Sequence, residues 1–179
     1  MEILIGTSGW NYKHWKKKFY PENIPKNKWF KHYMKHFKTV EINNTFYKWP
    51  DKNTIKEWKE KAKTGFKYTI KAPRTITHLK KLKNVKTQIK QLYKITKNLQ
   101  NKKAAHLFQL PPTYKLNENN LEKLKKFIKQ LDKKTDNAIE FRNKEWWREE
   151  IYELFKKNKI IFCNVIGMNM PKKIITTTN

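Results

Sequence analysis

Hydrophobic positions along the chain follow two alternating periods. Short runs of aliphatic and β-branched residues alternate with longer stretches in which apolar residues recur every three or four positions, the spacing of one helix face. The short runs predict six strands, at residues 2–8, 39–46, 67–72, 104–110, 137–141 and 159–165. The clearest helical stripes lie within residues 29–37, 82–99 and 121–131, and we interpret them as faces that pack on a core.

This order of elements predicts an α/β fold with a parallel sheet and right-handed crossovers. A doubly wound sheet would normally carry a tight glycine-rich turn after the first strand, but IGTSGW offers Gly6 and Gly9 followed by a long aromatic loop. A TIM-type (β/α) barrel accommodates such a loop, because its βα loops build the functional site. Eight units need about 240 residues. The 179 residues therefore predict one domain, 1–179, that forms an incomplete barrel of about six units.

Polar residues occupy the predicted inner face of this barrel. In VEINNTFYKWP (40–50), Glu41, Asn43, Thr45 and Tyr47 stand at every second position, as residues on one face of a strand do. Functional side chains in such barrels gather near the carboxyl ends of the strands. Glu41 and Glu140 are the predicted catalytic residues. The predicted ligand-binding residues, inward-facing or in the following loops, are Ser8, Trp10, Asn43, Tyr47, Lys71, Arg74, His78, Gln109, Arg142 and Trp146.

The two inward carboxylates have two interpretations. An isolated charge is costly to bury, so Glu41 and Glu140 need partners, and Lys71 and Arg142 are the natural ones. The first interpretation is a structural ion-pair network that fixes the interior. The second is an active site in which a carboxylate acts as acid or base while the cations hold an anionic or carbonyl oxygen. Under the second, Glu41→Gln abolishes ligand binding or turnover and leaves the melting temperature nearly unchanged.

The net charge of +27 suggests contact with polyanions. However, only three of the 42 basic residues are arginines, whose rigid guanidinium fork reads phosphates and guanine edges. Lysine and asparagine, of which there are 18, have AT-rich codons, so genome base composition also accounts for the bias. We therefore predict weak, salt-sensitive and non-specific polyanion binding. A non-catalytic, lysine-rich nucleic-acid-binding protein is the alternative function.

Other classes of site lack sequence support. The histidines show no tight ligand spacing, so a metal site would have to combine residues from distant strands, such as His106 with the two glutamates, and none is predicted. No motif indicates a particular cofactor. Cys163, in the apolar run IIFCNV, is interpreted as a buried small hydrophobe. The apolar runs are shorter than the roughly 18 residues of a membrane span, which predicts a cytoplasmic protein without a membrane partner.

A series of motifs carries a family resemblance. IGTSGWNYKHW, FYP, VEINNTFY, KAPRTITH, FQLPP and IEFRNKEWW occur in this order. From Ile5 to about Thr178 the chain resembles the domain-of-unknown-function 72 family, also called YecE-like proteins. The resemblance implies a TIM-type barrel without an established activity. We accordingly expect an uncharacterised family protein, either an enzyme or a ligand-binding protein, that acts on a small polar or anionic molecule.

The chain departs from the family pattern near its end. Family members continue after a segment like MNMPKKIITTTN into two further strands that are absent here. The resemblance thus implies a barrel that lacks its last two strands and exposes the edges of its first and sixth. Two expectations follow: a partner fragment completes the barrel, or the chain is an inactive truncated remnant.

Overall fold

One parallel β-sheet organises the fold in a computed structural model, which describes residues 2–167 and 169–178. Its strands follow each other in chain order, and every neighbouring pair is parallel. They are β1 (Gly6–Ser8), β2 (Thr39–Ile42), β3 (Lys67–Lys71), β4 (Lys103–Leu110), β5 (Asp136–Phe141) and β6 (Ile161–Phe162). The predicted α/β fold is confirmed.

Helices follow the strands and cover one face of the sheet. They are α1 (Trp29–His36), α2 (Asn44–Tyr47), α3 (Lys52–Lys61), α4 (Lys86–Thr96), α5 (Glu118–Ile128) and α6 (Glu149–Asn158). Alternate strand residues such as Val40, Ile70 and Phe108 are buried in the core with the apolar helix faces. The other strand positions face away from this core, so that the inner face of the sheet is free to carry polar groups.

The sheet is an unclosed, TIM-like arrangement. β1 and β6 are its two ends, and the described residues do not pair them with each other. The register places Ser8 beside Glu41 and Gln109 beside Glu140 on the inner face. The carboxyl ends of the strands therefore bring these four polar residues to one side of the molecule.

The second strand ends earlier than predicted. It stops at Ile42, and Asn44 begins the short helix α2 instead of continuing the strand to residue 46. Thr45, expected on the inner face, is buried, and its Oγ1 lies 2.7 Å from the carbonyl oxygen of Lys71 and 3.0 Å from that of Ile42. The period-two pattern beyond Ile42 was therefore not a strand pattern. The sixth strand is also shorter, ending at Phe162.

Close packing at β1 explains its glycine. A Cβ atom on Gly6 would lie 2.2 Å from the carbonyl oxygen of Thr39, so any other residue would push β1 away from β2. The hydroxyl of Tyr33 on α1 fastens the same region. It accepts a 2.9 Å hydrogen bond from the Thr7 amide and donates one of 2.9 Å to the Thr39 carbonyl. β1 is thereby held in register for Ser8 to reach Glu41.

Candidate functional site

A cavity of about 760 Å³ lies at the carboxyl ends of β1 to β4. Seven of the predicted site residues line it: Ser8, Trp10, Asn43, Tyr47, Lys71, His78 and Gln109. The remaining lining residues are Gly9, Asn11, Tyr12, Ile42, Asn44 and Phe46. The cavity is therefore polar at its base, where the strands end, and partly aromatic along its walls.

Lys71 provides the positive charge at the base of the cavity. Its side chain is 13% exposed, and its Nζ lies 3.7 Å from Oε1 of Glu41 and 5.3 Å from the centre of the Phe46 ring. Ser8 Oγ donates to the same Glu41 oxygen at 3.4 Å and accepts from Asn43 Nδ2 at 2.5 Å. Within the described residues, Oε2 of Glu41 accepts no hydrogen bond from protein. Glu41 is thus oriented through one oxygen by two residues that line the cavity, although Glu41 is not itself among the lining residues.

Glu140 is more fully engaged than Glu41. It is buried, and its Oε1 accepts a 3.0 Å hydrogen bond from Gln109 Nε2 and a close ion-paired contact from Arg142 Nε. Gln109 in turn lines the cavity. Neither Glu140 nor Arg142 is among the residues that line the cavity, and Glu140 contacts the cavity lining through its hydrogen bond from Gln109.

Cys163 lies beside this second carboxylate. Its Sγ is 3.9 Å from Oε2 of Glu140, and Cys163 is half-buried rather than the buried small hydrophobe that the sequence predicts. Burial, followed by the negative charges of Glu140 and Glu41, raises the pKa of the Cys163 thiol to about 12. The thiol is therefore protonated at neutral pH. Strand alternation from Ile161 could have assigned Cys163 to the inner face.

His78 also lines the cavity and belongs to a single π-helical turn, Thr75–Leu79. Its ring meets the Phe46 ring edge to face at 4.8 Å, and its Nδ1 is 2.9 Å from Thr77 Oγ1. Burial lowers the pKa of His78, and the charges of Lys71 and Arg74 lower it further, so the imidazole is neutral at pH 7. Arg74 itself is exposed and does not line the cavity.

Trp146 does not join the other predicted site residues. Its side chain is fully buried, and its ring stacks on Phe141 at 4.6 Å and on Tyr114 at 5.3 Å. Its Nε1 donates a 2.6 Å hydrogen bond to the Tyr114 carbonyl oxygen. In this structure Trp146 packs the core away from the cavity.

The aromatic loop after β1 supplies the predicted Trp10 and also Asn11 and Tyr12, which are not among the predicted ligand-binding residues. Tyr12 is held by a hydrogen bond from its hydroxyl to the Ser8 carbonyl. The Tyr20 hydroxyl donates to the Trp10 carbonyl at 2.5 Å, and the Trp10 ring packs 4.6 Å from that of Phe30. The loop follows the first strand directly, and βα loops build the sites of such barrels, so its position in the sequence could have identified these wall residues.

His106 lies on the other face of the sheet. It is fully buried between β4 and α4, its Nε2 is 2.8 Å from Thr96 Oγ1, and its ring is 4.8 Å from that of Tyr93. A metal site combining His106 with Glu41 and Glu140 is therefore wrong. Residues 2–167 and 169–178 contain no cluster of three His, Cys, Asp or Glu side chains that could hold a metal ion. In the same part of the chain, no helix is both long and apolar enough to cross a membrane.

Known structures share this fold. A DUF72 family protein from Thermotoga maritima superimposes with a TM-score of 0.84 at 30% identity, covering 98% of this chain and 70% of that protein. A DUF72 family protein from Enterococcus faecalis superimposes with a TM-score of 0.81 at 18% identity, covering 99% of this chain and 67% of that one. The second likeness concerns the fold alone.

Sequence relatives and a family model agree with these structures. The UPF0759 protein YunF of Bacillus subtilis is 26% identical over 157 residues, and the UPF0759 protein YecE of Escherichia coli is 24% identical over 145. These alignments include 84% and 81% of this chain, which spans about half the length of either relative, 54% and 50%. The model described as "Protein of unknown function DUF72" matches residues 4–178. The chain therefore belongs to the DUF72 family, whose function is not established.

Proposed function

We propose that the cavity binds a small polar molecule carrying a carboxylate or phosphate group, and that Glu41 acts on it as an acid or base. The observation that carries the proposal is the largely buried Lys71 ammonium at the cavity base, loosely paired with Glu41 at 3.7 Å. Amide groups of Asn43 and Gln109 lie around it as further hydrogen-bond donors. An anionic group placed here would meet a cation and neutral donors in a partly desolvated site.

The aromatic wall favours a ligand with an extended polar body. Tyr47 is 75% exposed although it is a large aromatic residue, and it lines the cavity together with Trp10 and Tyr12. Exposed aromatic rings beside polar groups are suited to stacking against a sugar or a base. We therefore assign the anionic end of the ligand to Lys71 and its neutral body to this wall.

The two carboxylates have different roles in this proposal. Glu140 accepts from both Gln109 and Arg142, so it acts as the structural ion pair of the first interpretation. Among the described residues nothing donates a hydrogen bond to Oε2 of Glu41, and Glu41 contacts two cavity-lining residues, Ser8 and Lys71. Proton transfer needs a group with a free lone pair within reach of the ligand. Glu41 meets this requirement better than Glu140.

Isothermal titration calorimetry with charged and uncharged small molecules tests whether the cavity binds an anionic ligand. Inorganic phosphate, citrate and glucose 6-phosphate represent the anionic class, and glucose is the uncharged comparison. Lys71→Met is expected to weaken binding of the best anionic probe by about 10- to 100-fold, because it removes a charge-assisted contact. Lys67→Met is the matched control, since Lys67 begins the same strand and its Nζ bonds to the Asn101 carbonyl away from the cavity.

Glu41→Gln separates the chemical from the structural interpretation. A glutamine carbonyl can still accept hydrogen bonds from Ser8 and Lys71, so the melting temperature is expected to change little. The variant has no carboxylate to accept a proton, so turnover of a ligand, or binding of a probe that carries an acidic proton, is expected to be lost. Equal binding by the Lys71→Met and Lys67→Met variants would contradict the site. A Glu41→Gln variant that fails to fold would instead favour a structural ion-pair network.

A further inference from the structure

A second groove lies outside the inner face, between α5 and the turn that precedes α4. Its volume is about 640 Å³. Five lysines, three side-chain amides and one leucine line it: Leu82, Lys83, Asn84, Lys86, Asn119, Lys123, Lys126, Lys129 and Gln130. None of these residues lines the cavity described above. The basic groove, as we call it, is therefore a separate surface.

Each wall of the basic groove has a defined origin. On α5 and just beyond it, Asn119, Lys123, Lys126 and Gln130 are spaced by four, three and four residues, which places them along one side of the helix. The opposite wall is the turn at residues 82–86. Leu82 and Asn84 have left-handed backbone angles there, with φ values of 66° and 51°. The Leu82 side chain is almost fully buried, and this burial anchors the turn.

The charge in the basic groove is not neutralised by the protein. Within the described residues, none of its five lysines lies within ion-pairing distance of a carboxylate, whereas neighbouring Lys125 pairs with Glu122 at 3.3 Å. Lys123 does donate to Asn120 Oδ1 at 3.1 Å, but that partner is uncharged. The amino end of α4, which begins at Lys86, has no acidic residue in its first turn and no side-chain cap. Its partial positive charge adds to that of the lysines.

We propose that the basic groove binds inorganic polyphosphate. The lysine ammonium groups donate hydrogen bonds, the amide NH₂ groups can do so as well, and a polyphosphate chain consists of acceptor oxygens with a charge on every unit. No aromatic ring or arginine lines the groove within the described residues, so the means of stacking bases or reading guanine are missing. This favours a linear anion recognised by charge over a nucleic acid. The proposal is independent of the small-ligand cavity.

The test must separate a local groove from the overall charge of +27. Binding of fluorescently labelled short-chain polyphosphate is measured by anisotropy at about 0.1 M and 0.3 M salt. The groove variant is Lys86→Gln combined with Lys126→Gln. The control is Lys31→Gln combined with Lys35→Gln on α1, which removes the same charge from exposed lysines at another surface. Thermal melts check that both variants are folded.

We expect the groove variant to lose about tenfold in affinity, since two exposed charge contacts are removed, and the control to lose less than about threefold. The salt dependence of the groove variant should also become shallower, because fewer counterions are exchanged on binding. Equal losses in the two variants would overturn the proposal and leave only a general effect of net charge. Tighter binding of a uridine oligonucleotide of matched charge, lost in the same groove variant, would overturn polyphosphate as the ligand and indicate RNA.

Discussion

At the scale of single residues, His106 links burial to pH dependence. Burial, followed by the charge of Lys103, lowers the pKa of His106 from 6.5 to about 3 in the folded protein. Between these values the unfolded chain binds a proton that the folded chain excludes, so stability falls as pH falls from 6.5 towards 3. The contribution approaches about 1.4 kcal/mol per pH unit within that window. The side chain of Gln in His106→Gln can still form a hydrogen bond with Thr96. This variant should therefore lose less stability per pH unit than the wild type, by up to this amount.

Urea unfolding at several pH values between about 4 and 6 measures this slope. His14→Gln is the control, because His14 is solvent-exposed. The two variants should diverge most at the acidic end of the series. Parallel pH profiles for wild type and His106→Gln would mean that the buried imidazole does not exclude the proton.

Strand alternation predicted part of the candidate site residue by residue. Alternation with buried neighbours predicts one inner face for Glu41 and Glu140, and Lys71 and Gln109 stand near the carboxyl ends of their strands; the structure places all four on that face of the sheet. Trp146 shows where this reasoning stops. Periodicity does not tell whether an aromatic residue in a loop turns towards a cavity or the core, and its burial depends on rings from distant parts of the chain.

At the scale of secondary-structure elements, Thr45 connects α2 to the end of β3. Its buried Oγ1 lies 2.7 Å from the carbonyl oxygen of Lys71, the residue that carries the cavity charge. Thr45→Val keeps the side-chain shape but removes the donor, so the free energy of unfolding should fall by about 1–3 kcal/mol. Probe binding at Lys71 should weaken as well, since the backbone of that residue loses its tether.

Chemical unfolding and calorimetry on the same samples check both effects. Thr64→Val, at an exposed position, is the control for the substitution itself. A Thr45→Val variant that loses stability but keeps full probe affinity would show that the tether supports folding without positioning Lys71. Unchanged stability would show that the contact is not a net stabilising hydrogen bond.

Element boundaries were less predictable than the order of the elements. The third apolar stripe spans residues 121–131, whereas α5 ends at Ile128; its start follows from Asn117, which caps the helix by accepting a 2.9 Å hydrogen bond from the Asn120 amide. Likewise, α2 interrupts a run that continued the strand pattern in the sequence. Periodicity reports which face is buried, but termini depend on local backbone hydrogen bonds, which it does not encode.

At the scale of the whole molecule, the two ends of the sheet are protected differently. Beside β6, Thr177 Oγ1 accepts from the Phe162 amide at 2.9 Å and donates to the Ile160 carbonyl at 2.7 Å. Asn164 further fixes this segment through 2.8 Å hydrogen bonds to the backbone of Ile175. Beside β1, by contrast, Ile3 and Ile5 are 76% and 70% exposed. The described residues therefore cover the β6 edge and leave the β1 edge unpaired, with two exposed isoleucines just before the strand.

An unpaired strand edge is a template for another strand. We therefore expect the 179-residue chain to self-associate through the β1 edge, and a polypeptide that supplied a further parallel strand there to compete with this association. Ile5→Lys should shift the self-association constant by at least about tenfold towards monomer, because it places a charge on that edge. Ile174→Lys is the control, since Ile174 is also highly exposed, at 85%, but belongs to the segment beside β6. Sedimentation velocity over a concentration series measures both. Loss of association in the Ile174→Lys control alone would assign the contact to the β6 side. A wild-type chain that stays monomeric at every concentration would show that the β1 edge does not mediate self-association.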